Sequence, residues 1–529
     1  MPNDCISYQN SGYFTPLMID YLNQKSNLDS LYNRFPTLEN FEAQIQEKRE
    51  QFSLETRTTL VSVLHKQYQN TTISDLTAEN IEALKVNNTF TITTGHQLNL
   101  FSGPLYFLYK IISTINLTHK LKATYPAYNF VPVYWMATED HDFEEINYFN
   151  FKGKKFRWNT ASTGAVGRLN TEGLDEFLEI FALELGHTTN ANTLKTLFTQ
   201  AYLHHSNLAD ATRFLANALF GEYGLVILDA DNSDLKQLFA PYIKEELTQQ
   251  TAFKAVKETI NKLSDYAIQV NPREINLFYL EDQLRERIIY KNDTFIVNNT
   301  NLAFSKNEIL NLVDTNPEKF SPNVVMRPLY QEVILPNLCY IGGGGEIAYW
   351  LELKAFFDTV KVPFPILLVR NAVVLATQKQ VNKAEKLELS WADLFKKQNE
   401  LVNALTHKYS AFPIDFSTQK KYLQHQFQSL YEMALQTDKS FVGAVKAQEK
   451  KQLKGLENLE KRLFKAQKRK LKDQLERAID LQNELFPNQG LQERQNNFSE
   501  FYLTEGIHLL PKLLHTLNPL AQNFDIITL

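Results

Sequence analysis

Cysteine is nearly absent: Cys5 and Cys339 are the only two in a chain of 529 residues. Thiols so few and so far apart make neither a disulfide framework nor a zinc motif, and they point to a reducing cytosol. Long apolar runs are absent too. The most apolar stretch, Val362 to Ala376, is interrupted by two prolines and Arg370, which excludes a bilayer span there. Met1 to Phe14 is polar, with no basic segment leading into an apolar one, so no secretory signal is expected and the location is expected to be cytoplasmic. There is no large charge of one sign. A net charge of -5 over this length gives no general pull toward nucleic acid or an anionic membrane, and neither partner is expected. No repeat of fixed period occurs, and no exact Walker A or dinucleotide fingerprint.

What is present is a globular composition, 43% hydrophobic, on a chain long enough for a main domain with additions. The first ninety or so residues read as helices, at Asn27 to Arg34, Leu38 to Tyr68 and Thr77 to Lys85. Thr89 to Thr93 is β-branched and aromatic, hence a strand, and Gly95 ends it. Ser102-Gly103-Pro104 reads as the start of an apolar helix through Leu121, with Ser102 as its cap. Val131 to Met136 is a second strand. Strand, helix and strand at this spacing predict a βαβ unit and a parallel sheet. Further helix is expected over Leu174 to Phe220 and Leu235 to Ile268. Short strands are expected at Leu225 to Asp229, Leu277 to Tyr279, Arg287 to Tyr290, Thr294 to Val297, Val324 to Met326 and Ile366 to Val369. Four glycines, Gly342 to Gly345, would open a helix over Glu346 to Phe357.

The predicted class is α/β. A Rossmann-like parallel-sheet core is interrupted by an α+β insertion and followed by a C-terminal antiparallel helical coiled coil. The expected partition is 1–150 for a helical region and the first part of the core, and 151–322 for the insertion with core strands at 225–231. It continues with 323–371 for the second part of the core, 372–487 for the coiled-coil domain, and 488–529 for a segment packing back on the core. Ser390-Trp391-Ala392-Asp393 has the form of a capping box. Leucines from Leu453 to Leu485 recur at three- and four-residue steps, and Pro487 ends that helix. The lysines and arginines of Lys446 to Lys472 read as a solvated face beside this seam; RNA or phosphate attraction is the other use of such a face.

Three segments could carry chemistry. Gly95 follows a strand and lets backbone approach a ligand, while His96, Gln97, Asn99, Ser102 and Tyr106 supply polar groups beside it. A helix beginning near Gly103 would offer free N–H groups to an anion. The bland alternative is a tight turn with a capped helix. The second segment is Glu139-Asp140-His141-Asp142 with Glu144 and Glu145, at the carboxyl end of a predicted parallel strand. Asp140, His141 and Asp142 are the candidate proton acceptors. The same group has the chemistry to hold a divalent cation, but no second histidine falls at ligand spacing, so no metal site is assigned. An acidic first turn of a helix is the bland reading. The third segment joins Arg327 and Gln331 to Gly342, Gly343, Gly344, Gly345 and Glu346, with Arg370 beyond. Such a loop can cradle phosphate or simply let helix and sheet pack closely, and either arginine can fork to a carboxylate, to a phosphate or to a structural partner. Cys339 reads as a core residue.

These segments resemble the bacillithiol cysteine-adding (BshC) family. The resemblance rests on Thr94-Gly95-His96-Gln97 with Leu100 to Tyr106, and on Pro132 to Trp135 running into Glu139 to Asn147. It continues through Tyr223 to Leu225 with Asp229, Arg327 to Gln331 with Pro336, and Gly342-Gly343 with Gly345 to Trp350. Ser440 to Val442, Leu485 to Pro487 and Leu491 to Arg494 extend it nearly to the end. His96 stands where glutamine is more usual, and Gly344 where proline is common. The resemblance implies a ligase that joins cysteine, through its carboxyl group, to the amine of glucosaminyl-malate; a free carboxylate needs activation for that step, and ATP is the expected co-substrate. It also implies an insertion like the connective peptide of class I aminoacyl-tRNA synthetases, and a homodimer formed through the coiled coil. A nucleotide-binding transferase with another acceptor, a non-enzymatic coiled-coil adaptor and a metal-dependent hydrolase are the alternatives.

Overall fold

A computed structural model describes residues 4–529; the first three residues of the polar N-terminal stretch lie outside the described residues. The chain divides into two compact units. One runs to Val374 and takes in Leu491–Ile527; the other is Leu375–Gly490 with Thr528–Leu529.

The first unit is built on five strands: β1 (Thr89–His96), β2 (Asn129–Met136), β3 (Val226–Asp229), β4 (Asn337–Gly342) and β5 (Ile366–Val369). Their order is β5-β4-β1-β2-β3, and every neighbouring pair is parallel. The chain moves from β1 outward to β3 and then returns to the other side of β1. That is the doubly wound, Rossmann-like arrangement, with its switch point between β1 and β4. Central β1 is buried at every residue although four are threonines. The hydroxyls are satisfied inside the sheet: Thr93 Oγ1 donates to Asn337 Oδ1 (2.9 Å) and Thr94 Oγ1 to the Ile341 carbonyl (2.8 Å). Phe90 and Ile92 of β1 pack with Leu338, Cys339 and Ile341 of β4 and with Ile366 and Leu368 of β5. Cys339 is thus a core side chain, and burial pushes its thiol well up.

Helix α1 (Tyr106–Thr124) crosses from β1 to β2. It starts later than the sequence suggests. Phe101, Ser102 and Gly103 take φ of 54°, 68° and 61°, so the chain turns left-handed before it can become helical. Ser102 therefore does not cap the helix, and its Oγ is buried without a partner. The Leu105 N–H is taken by the Asn496 carbonyl at 2.9 Å, and Gly103 donates to Leu100 at 2.8 Å. This helix start offers no open row of N–H groups to an anion.

The insertion contributes helices Leu174–Leu185, Thr189–Leu203 and Leu208–Phe220 before β3, within the span expected to be helical. Ser233–Gln249 and Thr251–Lys262 follow β3, divided at Gln250 (φ 54°). A second, antiparallel sheet then forms from Leu277–Glu281, Leu284–Lys291, Thr294–Val297, Ala303–Phe304 and Phe320–Pro322. Val324 to Met326 is not a strand. Asn323 Oδ1 accepts the N–H groups of Val325 (2.9 Å) and Met326 (3.2 Å), and this starts helix α2 (Met326–Ile334). The core strand is the next segment, β4. Its last residue is Gly342; helix α3 (Gly344–Leu351) begins inside the glycine run and stops before a separate helix at Lys354–Val360. In the returning tail, Asn523–Thr528 pairs antiparallel with Asp4–Ser7.

The second unit opens on the end of a strand, Ala372–Ala376, at the edge of the region assigned to the helical coiled-coil domain, because Ala-Val-Val-Leu-Ala has strand chemistry. Beyond it the unit is helical. The capping box forms: Ser390 Oγ accepts the Asp393 N–H (3.2 Å), and Asp393 accepts the Ser390 N–H (3.1 Å). Helices α4 (Ser417–Ala434) and α5 (Lys439–Lys470) make an antiparallel coiled-coil hairpin packed through Phe427, Ala434 and Val445. Lys420 Nζ meets Glu460 Oε2 at 2.7 Å farther along it. The leucine periodicity continues into a separate helix, Lys472–Leu485.

Candidate active site

A cavity of about 790 Å³ opens in the first unit at the carboxyl ends of β1, β2 and β4, with Ala230 beyond β3 on its wall. This is the switch-point crevice where open α/β sheets bind ligands.

Its floor joins the two glycine segments. Lys110, from α1, donates to the Gly95 carbonyl (2.6 Å) and pairs with Glu346 of α3 (2.7 Å). Glu346 also accepts the Gly343 N–H (2.9 Å) and the Tyr340 hydroxyl (2.8 Å). Burial pushes the Glu346 carboxyl up, but Lys110 and these donors outweigh it and hold the carboxyl below its ordinary value. A methyl group at Gly95 would lie 3.2 Å from the Tyr340 hydroxyl and 3.7 Å from Arg327. Arg327 itself is held by Gln331 Oε1 (3.1 Å) and the Tyr349 hydroxyl (3.2 Å).

One side carries His96, Tyr106 and Arg370. His96 stands edge-on to Tyr106 with ring centroids 5.2 Å apart, and its Nε2 is buried without a partner. Burial, with Lys110 and Arg370 close by, pushes its pKa well below the usual imidazole value. Arg370 forks to Glu493, Nη1 at 3.0 Å and Nη2 at 2.7 Å. Its Nε is left without a partner, 3.8 Å from where a Gly343 side chain would begin.

The acidic segment also lines the cavity. Gln97 Nε2 donates to Asp140 Oδ2 (2.9 Å) and Glu145 Oε2 (2.7 Å). Asp140 Oδ1 accepts the His141 backbone N–H at 2.8 Å. The His141 ring lies against Phe278 and Arg285 of the second sheet. Glu139 points inward to Lys236, which also reaches Asp231 (3.5 Å), itself forked by Arg168 at 2.8 and 3.0 Å. Burial pushes the Glu139 carboxyl up to about 7, with Lys236 pulling against it.

Of the residues singled out in the sequence, the cavity brings together Gly95, His96, Gln97 and Tyr106 with Asp140 and His141, and with Arg327, Gly343, Gly345, Glu346 and Arg370. Asn99, Ser102, Gly103, Gln331, Gly342 and Gly344 lie outside its wall. Asn99 Nδ2 instead bonds the Glu145 carbonyl (3.2 Å), and Gly344 faces Phe14 and Met18. Asp142 is also outside, exposed at the start of the short helix Phe143–Ile146. Sequence reasoning missed Lys110, the lone charge on the buried face of an apolar helix, which a search for unpaired charges would have found. It also missed Arg273, Arg285 and Arg287, which carry no local signal, and gave no role to Arg494, which ends one of the segments that carry the resemblance. Seven cationic side chains line the cavity against four carboxylates, so it suits an anionic ligand. Among the described residues Arg273, Arg287 and Arg494 have no carboxylate partner, and no three His, Cys, Asp or Glu side chains are grouped to hold a metal.

Residues 1–371 match the family description "Bacillithiol biosynthesis BshC, N-terminal Rossmann-like domain", and 373–529 match "Bacillithiol biosynthesis BshC, C-terminal coiled-coil domain". The chain belongs to the BshC family. A relative from Flavobacterium johnsoniae, named "Putative cysteine ligase BshC", is 71% identical over 100% of both chains. Its counterpart in Flavobacterium psychrophilum is 63% identical over 100% of this chain and 99% of that one. The Cytophaga hutchinsonii protein of the same name is 38% identical over 98% of each. The BshC match thus spans both the parallel-sheet unit and the coiled-coil hairpin. Among the described residues no helix is long and apolar enough to cross a membrane.

Proposed function

We propose that this BshC-family ligase of bacillithiol biosynthesis joins cysteine, through its carboxyl group, to the amine of glucosaminyl-malate, and that the switch-point cavity is where it does so. One observation carries the reading. Three arginines with no carboxylate partner among the described residues, Arg273, Arg287 and Arg494, line the same cavity as the carboxylates of Glu139, Asp140 and Glu145. Both substrates carry an amine and at least one carboxylate, and malate brings two, so each end finds its complement.

A free carboxylate does not condense with an amine in water without activation. ATP is the activating co-substrate in this reading. Its phosphoryl or adenylyl group passes to a cysteine carboxylate oxygen, releasing ADP or pyrophosphate. The sugar amine nitrogen then bonds to the acyl carbon, phosphate or AMP leaves with the bonding electrons, and the amine proton passes to the protein. Asp140 and His141, which line the cavity, are the acceptors to test, or the groups that hold the ammonium of cysteine; Asp142, outside the wall, is set aside. Arg327 and the free Nε of Arg370 hold a malate or phosphate oxygen, beside the backbone of Gly95, Gly343 and Gly345. A divalent cation would enter with the nucleotide phosphates rather than on a protein site.

The enzyme works in the cytoplasm as a homodimer in this reading. The coiled-coil hairpin supports the dimer, because it exposes Tyr422, Met433, Phe441 and Leu459; sedimentation of the full chain tests it. Purified protein given cysteine, ATP and glucosaminyl-malate is expected to form the amide-linked thiol together with ADP or AMP. Absence of both products overturns the reading. Full activity in Asp140→Asn and His141→Ala together removes those residues from the proton step.

A further inference from the structure

Nδ1 of His141 has two neighbours that demand opposite things of it. Asp140 Oδ1 is 3.7 Å away, too far for a hydrogen bond, and would require a proton on Nδ1. Arg285 Nη1 is 2.6 Å away and, because a guanidinium only donates, requires a lone pair there. The shorter contact decides. A protonated Nδ1 would set two N–H groups head to head at 2.6 Å.

Arg285 cannot turn aside easily. Its Nε donates to Ser321 Oγ (3.1 Å), its Nη2 to the Pro322 carbonyl (3.3 Å), and the guanidinium carbon sits 4.1 Å from the centre of the Phe278 ring. The side chain is 6% exposed. The His141 ring also leans on Phe278 with centroids 5.5 Å apart. The insertion sheet therefore grips the imidazole on one side, and His141 still lines the cavity.

We propose that Arg285 is a positioning residue that holds His141 with its proton on Nε2, so that His141 serves as a hydrogen-bond donor to a substrate oxygen and not as the proton acceptor. A neutral imidazole has one N–H. With Nδ1 committed to accepting from Arg285, that N–H is on Nε2, and no lone pair is left to receive the amine proton. The donor suits an oxygen that gains negative charge as the amide forms. Proton acceptance then falls to the carboxylates of the same segment. The donor role rests on the ligase reading; the tautomer does not.

The two are tested separately. In full-length protein labelled with 15N-histidine, the His141 ring, assigned by its loss in His141→Gln, is expected to show a protonated Nε2 and an unprotonated Nδ1 without any substrate. Arg285→Ala is expected to abolish that single pattern, and Arg285→Lys, which still only donates, to keep it. A protonated Nδ1 in the parent protein overturns the proposal, as does an unchanged tautomer in Arg285→Ala. Should Arg285→Ala not fold, the parent spectrum and Arg285→Lys still decide. In the ligation assay His141→Gln, whose amide keeps a donor, is expected to retain at least about tenfold more kcat than His141→Ala, within the hundredfold or more that a lost donor costs. Equal loss in both overturns the donor role. Inactivity of the parent protein with its normal tautomer present overturns only the ligase reading.

Discussion

Nζ of Lys110 stands 2.7 Å from Glu346 Oε2 and 2.6 Å from the Gly95 carbonyl oxygen, so one buried ammonium ties the end of β1 to the helix after β4. Removing the ammonium leaves the Glu346 carboxylate, 27% exposed at the cavity, without its cation, at a cost of about 1–3 kcal/mol. Lys110→Met is expected to destabilise the protein by that amount in urea unfolding. Adding Glu346→Leu is expected to recover a large part of it, because the stranded carboxylate is gone. Strictly additive losses would show that the two side chains do not act as a pair.

Gly95 is the nearest backbone to that ammonium, and space at its α-carbon is filled from the other side. The β-carbon of Gly95→Ala would sit 3.2 Å from the Tyr340 hydroxyl, whose own partner is Glu346. The clash is with side-chain ends, so folding survives at a cost of about 1–3 kcal/mol. The cavity beside Tyr340 and Arg327 narrows. The expected result is a folded variant whose ligation kcat/KM falls at least about tenfold, equivalent to roughly 1.4 kcal/mol. Unchanged kinetics would place the substrates away from this floor.

The arginines differ in what holds them, and the difference predicts different effects on stability. Arg370 is buried and forked to buried Glu493, so Arg370→Ala is expected to cost about 3–5 kcal/mol of stability. Arg273 and Arg287 face the cavity and carry no carboxylate. Arg273→Ala and Arg287→Ala are expected to melt within about 0.5 kcal/mol of the parent. Each is expected to raise KM for glucosaminyl-malate, leaving kcat nearly unchanged, as loss of uniform binding requires. Thermal melts and steady-state kinetics on the three variants check both halves.

Much of this architecture was legible in the chain because it is written locally. A run of β-branched residues before Gly95, and an apolar strand before Glu139, are enough to place both segments at strand ends, and the sheet brings them to one crevice. Element boundaries were less legible. Asn323 captures two N–H groups and turns Val324 to Met326 toward helix, against a strand-like composition, and the left-handed run at Phe101 to Gly103 delays α1. Arg285 was not legible at all. It sits in a strand that opens Leu-Arg-Glu-Arg, where three charged residues in a row suggest only a solvated face. Its meeting with His141, 144 positions away in sequence, is set by how the insertion folds.

Glu352 offers a test with a sign. Its side chain is buried and accepts the N–H groups of Gln269 (2.7 Å) and Val270 (3.3 Å), which anchors the segment that leads to Arg273. Among the described residues no cation is paired with it, and burial, opposed by those two bonds, pushes its carboxyl from 4.5 up to about 7. A raised acid binds its proton more tightly folded than unfolded. Stability from this group is therefore fullest below about pH 4.5 and is lost as the pH climbs toward 7, to a ceiling of about 3 kcal/mol. Glu352→Gln has nothing to ionise. The stability of the parent relative to Glu352→Gln, from denaturant unfolding, is expected to fall steadily between pH 4.5 and 7.5 and to level off above. A difference that stays flat means the carboxyl is ionised throughout, and the 269–273 segment is then held by a charge and not by a neutral acid.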